Sequence, residues 1–144
     1  MAQLDVFDTT LQKTSDWLRG IMNSLGWEDE PQRAYLALRA VLHTLRDRLP
    51  IIEATHLGAQ LPMLVRGIYY EGWTPLDKPV KMHREEFLAR VRDHFRNEPY
   101  IDPVPITRAV LDVITAQIDP GEVSKIFGLL PAEYCDLWPV GVLA

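Results

Sequence analysis

Residues 39–62 read RAVLHTLRDRLPIIEATHLGAQLP, and residues 108–131 read RAVLDVITAQIDPGEVSKIFGLLP. Laid over each other without a gap, Arg39 on Arg108, they share an opening Arg-Ala-Val-Leu and a closing Leu-Pro. Between these, Leu45 falls on Ile114, Leu49 on Ile118, Glu53 on Glu122 and Leu57 on Ile126. Further on, Ile68 and Tyr69 meet Leu137 and Trp138. With one residue of slip upstream, Trp17, Leu18, Ile21 and Leu25 overlay Phe87, Leu88, Val91 and Phe95. Apolar residues in both copies recur every three or four positions, the helical period. The pattern predicts a duplicated unit of two long helices and two short ones broken at Leu-Pro. The units span about 4–70 and 80–139 of a single all-α domain over 1–144. A unit of about 65 residues makes a marginal core alone, so two are expected to pack as a compact, pseudo-two-fold bundle of about eight helices.

Local signals place the helices. Leu4, Phe7, Leu11, Leu18, Ile21, Met22 and Leu25 predict one inward stripe on a first helix that Gly26 ends. Pro31 opens a second, with Ala34, Leu38, Val41, Leu42, Leu45 and Leu49 inward. Short helices follow Pro50 and Pro62, and EGWTPLDKP (71–79) reads as a linker with an exposed Trp73. A fifth helix is predicted over about 81–96, and NEPYIDPVP (97–105) is expected to be non-helical because it holds three prolines. Asp119, Pro120 and Glu122 form a helix start, with Asp119 as cap. No stretch shows the sustained alternation of a half-buried strand.

The 144 residues are 47% apolar and 24% charged, ordinary globular usage that excludes disorder and disulfide-rich mini-proteins. The net charge of -5 argues against nucleic acid and anionic membrane surfaces as partners. The exception is residues 81–96, with Lys81, Arg84, Arg90, Arg92 and Arg96, read as a solvated helix with internal ion pairs. No apolar run approaches the ~20 residues of a membrane span, and the start does not read as a signal peptide. One cysteine, Cys135, permits no intrachain disulfide, so a cytoplasmic location is expected.

The run from Leu25 to Trp73, with its Arg-Ala-Val-Leu helix (39–42), Ala-Gln-Leu-Pro break (59–62) and aromatic Gly-Trp end (69–73), resembles the bacterial domain of unknown function 2267. FLARV (87–91) and the second Leu-Pro extend the resemblance over roughly residues 5–138. These are packing motifs. The resemblance implies no established activity and no catalytic residue.

The residues themselves point to little chemistry. There is no phosphate-cradling glycine loop, no H-E-x-x-H and no nucleophile elbow. Cys135 is expected to be inert and at least half-buried. His43 with Asp47, and His83 with Glu86, supply two ligands each, too few for a zinc site, so no metal and no cofactor is expected. Glu53 and Glu122 repeat and could be paired carboxylates across the pseudo-two-fold, as general acid–base work requires, but each lies in the first turn of a short helix, where capping is the better account. Arg39 and Arg108 are expected to pair with acids of the opposite unit. Alternatively, with His43, they line a pocket between the repeats for a small anionic ligand, as a binder or an enzyme. Tyr69, Tyr70 and Trp73, with Trp138, are the candidate contact surface. The leading expectation is a non-enzymatic helical module acting through protein–protein contacts, most simply a homodimer.

Overall fold

A computed structural model describes residues 4–139. It is all-α. Seven α-helices and one 3₁₀ helix are present among the described residues, and no strand. They are α1 (Asp5–Leu25), α2 (Pro31–Arg48), α3 (Ile51–Gln60), α4 (Met63–Tyr70), α5 (Arg84–Asp93), α6 (Pro103–Gln117), α7 (Pro120–Leu129) and the 3₁₀ helix Ala132–Leu137. The shift that lays Arg39 on Arg108 also lays the end of α2 on the end of α6, and both ends of α3 on those of α7. It lays the start of α4 on the start of the 3₁₀ helix as well.

The ends have local causes. Gly26 takes a left-handed φ of 67° and closes α1, a conformation that costs a β-carbon-bearing residue energy. Asp119 caps α7 through its carboxylate and the Glu122 N–H, with Pro120 at the first helical position. The three-proline stretch differs from expectation. Pro103 and Pro105 lie inside the first turn of α6, because N–H groups there have no helical partner to lose. The Asp102 carboxylate accepts from Val104 N at 3.0 Å to start that turn.

The helix α2 is the axis of the molecule. It packs against α1, α4, α5 and α6, and every residue from Ala40 to Arg46 is buried. An amphipathic reading puts His43, Thr44 and Arg46 outward. They lie inside because neighbours cover α2 on all sides. Each buried polar group then needs a partner. Thr44 Oγ1 donates to Ala40 O at 2.8 Å, and Arg46 Nη1 donates to Tyr69 O at 2.7 Å and Glu71 O at 2.9 Å. Trp17 and Ile21 of α1, Phe87 and Val91 of α5, and Val110 and Ile114 of α6 complete the core.

The halves are interleaved, since α1 packs on α6 and α2 packs on both α5 and α6. The link between them is tied at both ends. Arg46 holds Glu71 O, Val80 N donates to Asp47 O at 2.8 Å, and Tyr134 OH donates to Met82 O at 2.5 Å.

The helix α1 departs from its predicted stripe. Trp17 and Ile21 are buried, but Leu4, Phe7 and Leu11 are 56%, 55% and 55% exposed. In the second half of α1 Ile21 is buried, and Leu18, Met22 and Leu25 pack partly buried against the core.

Candidate functional site

Arg39 and Arg108 do not converge. Arg39 Nη2 donates to Glu71 Oε1 at 2.7 Å, and Arg108 Nε donates to Asp136 O at 3.0 Å. Both acids follow in the arginine's own half of the chain rather than in the opposite one, as the end of each half turns back over its own long helix. The Arg39 guanidinium holds the Glu71 carboxyl below its usual range. Arg84, bonded to Asp136 at 2.6 Å, does the same for that carboxyl. Neither Arg39 nor Arg108 lines any of four clefts found among the described residues.

His43 does border a shallow cleft, with Arg46, Asp47, Arg90, Asp93 and His94. Its Nε2 lies 2.7 Å from Ile68 O, so the neutral tautomer with the proton on Nε2 donates there. Burial lowers the imidazole pKa, with Arg46 and Arg39 adding in the same direction. His43 is thus a satisfied core histidine, and Asp47 turns to Arg46 Nε at 2.9 Å instead of joining it.

The aromatic surface is corrected. Tyr69 and Trp138 are buried, at 0% and 5% exposure, and Tyr70 and Trp73 are half-buried. Tyr69 OH donates to Ala54 O at 2.5 Å, and burial pushes its phenol upward, so it remains protonated. The Tyr70 ring stacks edge-on against Tyr69 at 4.9 Å and tilts against Trp73 at 5.7 Å. These residues close the ends of their own halves. Cys135 is the reverse case: it is exposed on the 3₁₀ helix, whose Tyr134 and Leu137 point inward.

Two features stand out instead. The first is the exposed start of α1. Leu64 N donates to Thr10 Oγ1 at 2.9 Å, which sets the start of α4 beside it. Val6 and the half-exposed Met63 line one groove there, and Leu64 is 40% exposed.

The second lies where α3 meets α7. One ligand atom each from Glu53, His56 and Glu122 fall within 4.8 Å of one another. Glu53 Oε2 and Glu122 Oε1 are buried without a hydrogen-bond partner among the described residues. Capping does not account for these side chains. The N-cap of α3 is Pro50, which has no N–H to offer Glu53. In α7 the cap bond runs from Glu122 N to Asp119, and the Glu122 Oε1 oxygen stays unbonded. His56 Nδ1 is 3.5 Å and Lys125 Nζ 3.9 Å from Glu53 Oε2. On the shift that lays Arg39 on Arg108, Lys125 falls on His56 and Glu122 on Glu53. That correspondence between the halves was the only trace of the convergence in the sequence.

An all-α bundle around a second helix buried from Ala40 to Arg46, with Leu-Pro breaks before its short helices, defines the structural class. Residues 14–137 match the family of uncharacterized conserved proteins DUF2267, and the chain belongs to that family. No curated protein matches the chain. No described helix is long and apolar enough to cross a membrane.

Proposed function

We propose that this protein is a non-enzymatic helical association module that pairs with a second copy of itself through the first half of α1. The observation that carries the reading is the exposure of Leu4, Phe7 and Leu11 by more than half. They continue the line of Leu18, Met22 and Leu25, which packs on the core. Their spacing of three and four is that of a helix–helix seam. A two-fold pairing needs only one such patch, because the same surface serves both partners. Run antiparallel, Leu4 of one copy faces Leu11 of the other, with Phe7 near the axis. Val6, Met63 and Leu64 extend the apolar area, which two short turns of seam need for a stable contact.

The same reading treats the two halves as copies of one unit, supported by the single shift that superposes their helix ends in the chain. Tyr69 and Trp138 then act as core rather than contact residues.

Sedimentation equilibrium across a hundredfold range of concentration tests the pairing. The wild type is expected as a dimer. Phe7→Glu and Leu11→Glu are expected as folded monomers, since both sites are exposed and the charge enters no core. A wild type that stays monomeric throughout, or variants that dimerise equally well, would refute it.

A further inference from the structure

We propose that Glu53, His56 and Glu122 form a binding site for a divalent first-row transition-metal ion, with zinc as the representative, bridging α3 and α7. Glu53 and His56 stand at i and i+3 on one face of α3, and Glu122 comes from the first turn of α7. Together they offer two carboxylate oxygens and one imidazole nitrogen within 4.8 Å of each other. Independently, one oxygen of each carboxylate is buried with no hydrogen-bond partner. A buried carboxylate oxygen without a hydrogen bond is costly, and here each of two neighbouring carboxylates has one. A cation between them removes both penalties.

The donor set selects the class of ion. Magnesium and calcium prefer all-oxygen shells of six or more ligands, whereas an imidazole beside two carboxylates suits zinc and its neighbours. Zinc bonds of roughly 2.0–2.2 Å place neighbouring ligand atoms about 3.4 Å apart. Atoms at the 4.8 Å limit must therefore close by about 1.4 Å, by rotation of side chains. His56, with its side chain half-exposed, has the freedom to make that movement. Three protein ligands leave a fourth position open to water. Lys125 is the opposing charge. Its Nζ sits 3.9 Å from Glu53 Oε2 and competes with a cation for that oxygen.

The test is calorimetric titration of zinc chloride into the metal-stripped protein, alongside thermal melts with and without zinc. One zinc per chain is expected, with a raised melting temperature. Glu53→Gln, Glu122→Gln and His56→Ala are each expected to weaken binding at least about tenfold, the lower end of what losing a supporting group of a metal site costs. His83→Ala, at a histidine far more exposed and outside the cluster, is expected to bind like wild type. Lys125→Ala is expected to tighten binding, a gain that a purely structural role for the cluster does not give. Circular dichroism of each variant separates lost binding from lost fold. The proposal is overturned if wild type takes up no zinc, or if the three cluster variants bind as His83→Ala does.

Discussion

Gly58 sits in the last turn of α3, where alanine normally stabilises a helix by up to about 1 kcal/mol. Here Gly58→Ala is expected to destabilise. A β-carbon at this position falls 2.6 Å from Tyr70 Cζ and 2.8 Å from Cε2 and clashes with the Tyr70 hydroxyl. Ordinary carbon contacts lie at roughly 3.5–4.0 Å, so the ring must retreat by about 1 Å. Its retreat is obstructed. Tyr69 packs edge-on against it and is itself fixed through its hydroxyl to Ala54 O, and Trp73 stands on the ring as well. Overpacking of this kind costs about 1–3 kcal/mol, so the balance is a net loss of about 1 kcal/mol. For a chain of this size that lowers the melting temperature by about 2–4 °C. The assay is a double-mutant cycle by urea and thermal unfolding. In a Tyr70→Ala background the obstacle is gone, and Gly58→Ala should become stabilising by about 1 kcal/mol. A stabilising Gly58→Ala in the wild type would refute the reasoning. So would an equal loss in both backgrounds, which would place the cost in the backbone rather than in the ring.

Arg46→Met is expected to cost about 3 kcal/mol, read as a fall in the urea midpoint at constant slope, because it strands the carbonyls of Tyr69 and Glu71. His43 sets a pH dependence. Its folded pKa lies below its unfolded value of about 6.5, so the unfolded chain binds the proton more readily and stability falls as pH drops below about 6.5. His43→Gln should shrink the difference in melting temperature between about pH 7.5 and pH 5.5, and an unchanged difference would assign that dependence to other groups.

What the residues reveal in advance follows the range of the forces involved. Gly26, Pro31 and the Asp119–Pro120 pair act on their own turn, so the ends of α1, α2 and α7 are legible where those residues stand. Pro103 misleads because a proline that breaks a helix interior suits a first turn, and only the Asp102 cap decides between them. The all-round burial of residues 40–46 of α2 is invisible in its own periodicity, because His43 and Arg46 go inward only once the carbonyls at the end of α4 are there to receive them. The aromatic cluster misleads in the opposite sense. Tyr69 and Trp138 carry polar tips that suit a surface equally well, and burial is decided by the neighbours that arrive from elsewhere in the chain. The meeting of Glu53 with Glu122 depends on the packing of α3 against α7, which no local signal encodes.

The connection between the halves is gripped at its ends by Arg46 and Tyr134, whereas Leu76, in its middle, is 72% exposed. A protease cutting at Leu76 would sever the chain without parting it, since α1 lies on α6 and α2 lies on α5 and α6 across the cut. The nicked protein should elute as one species and split only in denaturant. Covalent continuity is then dispensable to the native state, and the two fragments, expressed apart, should complement each other into a working fold.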